Sequence, residues 1–175
     1  MLKTKSLLLA AALCVALFGG ANAKAQDENQ CYTLASLRGS YSVIGNYGDH
    51  LAIALARINL DGKGNFTTTF LVNEPDPAST TGGRKLVTGS QTGTYTVNCN
   101  GTGVITRVVV STAGNGTVVS DLVITRAVRS EDGVLTATEL ADAQRTPSFI
   151  VPGGVFLTRT YTRLPDAGDV ADAKR

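Results

Sequence analysis

The residues best suited to chemistry are four arginines and a tyrosine inside predicted β-strands: Arg107, Arg126, Arg159, Arg163 and Tyr161. Guanidinium forks match carboxylates, so two or more arginines pointing into one barrel would bind an anion. Arg107 shares its strand face with Ile105 and Val109, and Arg159 shares its face with Leu157 and Tyr161. The alternative is a solvent face or an edge, where charge deters aggregation. All of these residues but Arg163 are retained as candidate ligand-binding residues.

The sequence contains no established catalytic motif. His50 is the only histidine and lies beside Asp49 between two predicted strands, which is typical of an ordinary loop residue. A Ser-His-Asp triad needs a nucleophile in a recognisable turn, and the nearest pattern, residues 89–93 (GSQTG), does not match Gly-x-Ser-x-Gly. We therefore predict no catalytic residue and favour a non-enzymatic role.

Metal and cofactor motifs are absent from the sequence as well. One histidine and one cysteine pair cannot build a typical zinc site. Residues 61–65 (DGKGN) superficially resemble a calcium loop, but Lys63 stands where a ligand is needed and no terminal Glu follows. This segment is predicted to be a turn. The other glycine-rich segments lack the arrangements of nucleotide-binding loops, so we expect neither a metal nor a cofactor.

The first 25 residues have the pattern of a secretory signal peptide. Lys3 and Lys5 precede an apolar run over residues 7–18, and small residues allow cleavage after Ala23 or Ala25. The run is too short to cross a bilayer core of roughly 30 Å, and no later segment is long and apolar enough. We expect a secreted or periplasmic mature protein without a membrane span.

The charge of the mature chain is close to balance. Lys3, Lys5 and Lys24 are three of the 16 Lys and Arg residues, and none of the 14 Asp and Glu residues precedes residue 26. Cleavage after Ala25 therefore leaves 13 basic and 14 acidic residues. Without a basic excess or a basic run, binding to nucleic acid or to an anionic membrane surface is disfavoured.

Two cysteines remain in the mature chain, Cys31 and Cys99, because Cys14 lies within the signal segment. An even pair in an exported protein usually forms a disulfide. This bridge would close a loop of about 70 residues and stabilise the fold by about 4 kcal/mol on the chain-entropy model. The alternatives are two free buried thiols or a redox pair, for which no Cys-x-x-Cys spacing exists.

Residues 26–163 show the rhythm of a single all-β domain. Short runs rich in Val, Ile, Thr, Tyr and Phe alternate with turns rich in Gly, Asn and Asp. About eight strands joined by hairpin-length turns predict an antiparallel up-and-down barrel, with a β-sandwich as the alternative. Residues 164–175 lack an apolar face and are predicted to be a disordered tail.

Several local predictions depend on single segments. Residues 51–60 are apolar on both faces, which predicts a strand covered on both sides or, alternatively, a buried helix. Residues 86–99 are predicted to be a long or bulged strand that breaks near its two glycines. Residues 138–144 are predicted to be a short helix capped by Thr138. Residues 73–84 are predicted to be the longest exposed loop and a functional rim.

Three segments resemble recurring elements of small exported bacterial β-proteins. They are residues 37–42 (LRGSYS), 60–65 (LDGKGN) and 93–103 (GTYTVNCNGTG). The resemblance implies a calycin-like barrel and no known activity. The chain departs from lipocalins proper because it contains no Trp and so lacks their Gly-x-Trp signature.

These observations leave three functions open. The leading hypothesis is an exported non-enzymatic barrel with a small apolar or anionic molecule as its partner. The second is an isomerase or cyclase that uses a barrel cavity, where binding geometry supplies most of the rate enhancement. The third is a surface adhesion or assembly module. The oligomeric state, the ligand and the inward face of each strand stay open.

Overall fold

The barrel prediction is confirmed by the computed structural model, which describes residues 31–131 and 133–165. The eight strands pair antiparallel in chain order, and β1 closes the barrel against β8. In chain order the elements are a 3-10 helix (Leu34–Leu37) and the strands β1 (Gly39–Tyr47), β2 (Ala52–Leu60), β3 (Asn65–Pro75), β4 (Arg84–Val97), β5 (Thr102–Ser111), β6 (Gly114–Arg129), β7 (Leu135–Gln144) and β8 (Leu157–Arg163). The predicted signal segment, residues 1–25, and residues 166–175 of the predicted tail lie outside the described residues.

Alternation along the strands decides which residues fill the barrel. In β3, the side chains of Phe66, Thr68, Phe70 and Val72 are buried, whereas the residues between them are exposed. The turn before β3 fixes this register, because the Asp61 carboxylate accepts hydrogen bonds from the backbone and side-chain nitrogens of Asn65 and from Lys63 N. These bonds, the one from the Asn65 side chain first, lower the pKa of Asp61 to about 2. The predicted turn is therefore present.

Strand β4 is continuous, so the predicted break near its two glycines is wrong. Gly89 and Gly93 lie within β4 and are paired with both neighbouring strands. A Cβ on Gly89 would lie 2.6 Å from the ring of Phe70, and a Cβ on Gly93 would collide with the carbonyl oxygen of Thr106. The glycines let β5 approach β4 closely and leave room for aromatic rings in the interior.

Three further local predictions need correction. Residues 138–144 belong to strand β7, not to a helix, since β7 bonds to β6 on one side and β8 on the other. Residues 51–60 contain strand β2, but only its inner face is covered, and Leu55 on the outer face is 49% exposed. The connection between β3 and β4 is residues 76–83, shorter than residues 145–156 between β7 and β8.

Two apolar clusters fill the barrel, one toward each end. The cluster at the first end includes Leu37 of the 3-10 helix, together with Tyr41 and Tyr95, and we call this the helix end. The cluster at the other end includes Ile150 and Val151, both buried, and we call this the loop end. Residues 145–156, the covering loop, close the loop end. The interior is thus occupied mainly by side chains.

The predicted disulfide is present between Cys31 and Cys99. Beside it, Tyr32 N donates a hydrogen bond of 3.1 Å to Cys99 O. These contacts tie the start of the described chain to the turn between β4 and β5. In the described ranges, no helix is long and apolar enough to cross a membrane.

Candidate functional site

A group of buried polar side chains lies in the barrel between the two apolar clusters. We call it the polar belt, and it consists of Arg107, Ser120, Asp142, Arg159 and Tyr161. Strands β5, β6 and β7 each contribute one member, and β8 contributes two. Because alternate residues of a strand share a face, the register of four neighbouring strands brings these side chains together.

Asp142 is the centre of the polar belt. Its Oδ1 lies 2.8 Å from Arg159 Nη1, and its Oδ2 lies 2.5 Å from Arg107 Nη2. The Tyr161 hydroxyl also donates a hydrogen bond to Oδ2. Burial on its own would raise the pKa of Asp142, but the two guanidinium groups and these hydrogen bonds outweigh it, so that the pKa is lowered. Asp142 is therefore ionised at neutral pH.

Ser120 and Tyr161 complete the network around the arginines. Arg107 donates from Nη1 to Ser120 Oγ at 3.0 Å and from Nη2 to the Tyr161 hydroxyl at 2.6 Å. Burial raises the pKa of Tyr161 above its ordinary value, so its hydroxyl keeps the proton that it donates to Asp142. Since donors engage both carboxylate oxygens of Asp142, this carboxylate holds the two guanidinium groups in place.

The charges of the polar belt do not balance. Two arginines surround one aspartate, which leaves one positive charge in the interior. The other buried carboxylate of the described barrel, Glu74, lies 3.1 Å from Lys85 Nζ and is matched by that ammonium group. Buried charges are normally paired, so the excess charge is unusual for a barrel interior.

Arg159 carries that excess charge, and two of its nitrogens have no described hydrogen-bond acceptor. Its Nη1 donates to Asp142, and lies 3.5 Å from Ser120 Oγ. Neither Nε nor Nη2 of Arg159 donates to any residue that the structure describes. These two nitrogens form one edge of the guanidinium plane, which is the edge that binds a carboxylate through two parallel hydrogen bonds.

A small cavity adjoins the belt. Its volume is about 20 Å³, which is room for about one water. Arg107, Arg159 and Tyr161 line it together with Thr68, Gln91 and apolar side chains such as Phe70. The Thr68 hydroxyl is buried and has no hydrogen-bond partner in the described structure. The residues around the cavity therefore include two arginines, a threonine whose hydroxyl has no described partner, and an apolar wall.

The structure brings together three of the four residues that the sequence singled out for ligand binding, Arg107, Arg159 and Tyr161. Arg126 lies on the outer surface, where it is 69% exposed and 3.5 Å from Glu139. By alternation Arg126 should follow Leu122 inward, but the pairing of β6 with β7 shifts register on both sides of Arg126 and turns it outward. Arg126 is not part of the interior group.

Sequence reasoning missed Asp142, Ser120, Thr68 and Gln91 as members of the site. Asp142 was missed because residues 138–144 were interpreted as a helix, although Leu140 and Asp142 alternate with alanines as in a strand. His50 lies in the exposed turn between β1 and β2, with its Nδ1 3.4 Å from Asp49. Within residues 31–131 and 133–165, no three His, Cys, Asp or Glu side chains come together as metal ligands.

Comparison of the chain with protein-family models, curated proteins and solved structures found no match. The function must therefore be argued from the geometry of the barrel.

Proposed function

We propose that this chain is an exported, non-enzymatic β-barrel protein that binds a small molecule inside the barrel. The observation that carries the proposal is the cavity beside the polar belt, which Arg159 and Thr68 line and beside which the buried Thr68 hydroxyl has no hydrogen-bond partner in the described structure. The signal-like pattern of residues 1–25 and the Cys31–Cys99 disulfide support export, since disulfides persist in oxidising compartments.

The unpartnered hydroxyl of Thr68 supports the binding of a water or a ligand atom beside it. A buried hydroxyl without a hydrogen bond costs about 1 to 3 kcal/mol. Packing alone does not require a hydroxyl at this position, because the valine side chain has nearly the same shape and no polar atom. A ligand atom or a bound water that accepts or donates a hydrogen bond would remove the cost at Thr68.

The covering loop provides a route to the cavity. Ile150 and Val151 insert into the loop-end cluster, but the loop is held to the barrel by few backbone hydrogen bonds. Within it, Ser148 N donates to Val155 O at 2.8 Å, and Gly153 and Gly154 adopt positive φ angles. Movement of this loop would open the barrel without breaking a strand pair, so we assign ligand entry to the loop end.

The test compares two neighbouring threonines on opposite faces of β3. Thr68→Val removes the buried hydroxyl beside the cavity, and the control Thr69→Val removes an exposed hydroxyl outside the barrel. Thermal unfolding is measured with small alcohols, amides and carboxylates. We expect Thr68→Val to be as stable as the wild type or about 1 kcal/mol more stable, and to lose most of the ligand-induced rise in Tm.

Thr69→Val is expected to match the wild type with and without ligand. Equal ligand-induced shifts for both variants would place binding outside the cavity, and no shift with any compound would mean that the barrel does not bind small molecules of these classes. Either result would overturn the proposed function.

The outer surface supports a second candidate, assembly of the barrel with another copy of itself. Ile44, Leu55 and Leu71 are direct cross-strand neighbours on β1, β2 and β3, and all three are exposed. Leu55→Ser would convert a self-associating protein into a monomer in sedimentation experiments. A wild type that is already monomeric at high concentration would exclude this candidate.

A further inference from the structure

We infer that the molecule bound in the barrel is a small carboxylate, held by the Nε and Nη2 edge of Arg159. This inference rests on the proposed function and specifies its ligand. Three independent features of the cavity support it: the charge of the interior, the free edge of one guanidinium group, and the size and chemistry of the walls.

The net positive charge of the interior favours an anionic ligand. The described lumen holds Arg107 and Arg159 against Asp142 alone, because Lys85 matches Glu74. An uncompensated charge in a low-dielectric interior is costly, and a single negative charge beside Arg159 would remove that cost. A neutral ligand would leave the excess charge in place.

The geometry of Arg159 favours a carboxylate over a spherical anion. Asp142 accepts a hydrogen bond of 2.8 Å from Nη1 and thereby restricts the orientation of the guanidinium group. Nε and Nη2 then point along parallel directions with the spacing of two carboxylate oxygens, and both are free of described partners. A bidentate pair uses both donors, whereas a chloride ion would satisfy them with bent, longer contacts.

The walls of the cavity restrict the size of the carboxylate. Formate has three heavy atoms and is larger than one water, so it fits only if the apolar wall shifts slightly, and the methyl group of acetate requires a larger shift. Phe70 and Ala54 lie on that wall and suit a methyl group better than a polar substituent. Thr68 and Gln91 supply further donors for an oxygen. Formate and acetate are therefore the probes that fit this site.

The decisive experiment measures binding of formate and acetate by calorimetry at constant ionic strength, with acetamide as the neutral isostere of acetate and chloride as the spherical anion. The variant is Arg159→Lys, which keeps the positive charge beside Asp142 but removes the fork. The matched control is Arg57→Lys on the exposed face of β2. We expect Arg57→Lys to bind each probe with the same affinity as the wild type. Arg159→Lys should bind formate and acetate at least ten-fold more weakly than the wild type.

Acetamide and chloride are expected to bind at least ten-fold more weakly than acetate to the wild type. If acetamide binds as well as acetate, and Thr68→Val weakens both while Arg159→Lys weakens neither, the carboxylate inference is wrong and the proposed function stands. If no probe binds in the cavity and the broader ligand panel also fails, both are wrong. Carboxylate binding that neither Thr68→Val nor Arg159→Lys weakens lies outside the cavity and also overturns both.

A measurement on the unmodified protein covers the case in which Arg159→Lys does not fold. The Nε resonance of Arg159 should shift in nitrogen NMR spectra as acetate is added, and should saturate with the dissociation constant found by calorimetry. An Arg159 resonance that does not move at saturating acetate would overturn the inference.

Discussion

Asp142 and Glu74 are two carboxylates buried in the same barrel, but their surroundings differ. The Asp142 side chain has three donors around it, from Arg107, Arg159 and Tyr161. Glu74 has a single partner, the Lys85 ammonium group at 3.1 Å, and accepts no well-directed hydrogen bond from the residues that the structure describes. Both carboxylates are fully buried, so burial cannot explain the difference.

The comparison shows that the number of partners decides what a buried carboxylate contributes. Asp142 links three strands, β5, β7 and β8, through donors that would lose their only carboxylate partner without it. Glu74 links only two neighbouring strands, and the side chain of its partner Lys85 is 41% exposed, so water can hydrate the ammonium group when Glu74 is removed. We therefore expect the belt to be sensitive to substitution and the Glu74 pair to tolerate it.

The largest effect is expected for Asp142→Ala. Removal of this carboxylate leaves two guanidinium groups buried without a counter-charge, so the free energy of unfolding should fall by about 3 to 5 kcal/mol in urea experiments. The control is Asp121→Ala, which removes an exposed partner of Arg145 and should leave the urea midpoint nearly unchanged. Equal losses for the two variants would contradict the special role of the belt.

An intermediate effect is expected from acid. The pKa of Asp142 is lowered in the folded protein, so its contribution to stability is complete above the ordinary carboxyl pKa of 3.8 and is lost as the pH falls through the folded-state value. Urea unfolding between pH 2.5 and pH 6 should show this loss in the wild type and a smaller loss in Asp142→Asn.

Some acid sensitivity should survive in that variant, because the pKa of Asp61 is also lowered, first by the hydrogen bond from the Asn65 side chain. Identical pH profiles for the wild type and Asp142→Asn would show that the belt does not determine acid stability.

The smallest effect is expected for Glu74→Leu. Replacement of a poorly partnered buried carboxylate by an apolar side chain is often neutral or stabilising, and we expect a gain of at most about 1 kcal/mol in the free energy of unfolding. Glu74→Gln separates the loss of charge from the change in shape. A loss of more than about 2 kcal/mol in Glu74→Leu would mean that the Lys85 pair anchors the loop end.

The fold could be predicted from local patterns because most connections between consecutive strands are short turns. Residues 61–65 fix the register of β2 and β3, and period-two alternation then assigns Phe66 and Phe70 to one face. The same alternation linked Arg159 with Leu157 and Tyr161. Closure into a barrel follows from eight such strands in sequential order.

Only part of the site could be predicted from the sequence. Residues 138–144 have the composition of a short helix, but an isolated helix of two turns is marginal, and pairing with two neighbouring strands outweighs local propensity. Asp142 could not be assigned to the barrel interior, because its segment was predicted to be a helix. Arg126 was misplaced because a register shift reverses alternation beyond Ile124, and nothing in the sequence marks that shift.

The disulfide divides the strands into two groups that the continuous barrel does not distinguish. Cys31 and Cys99 close a covalent ring that contains β1 to β4, whereas β5 to β8 lie outside it. Every member of the polar belt belongs to the open half, but Thr68 and Gln91 belong to the ring. A ligand held between Arg159 and Thr68 would be a second, reversible crosslink between these halves, and it would matter most when the disulfide is reduced.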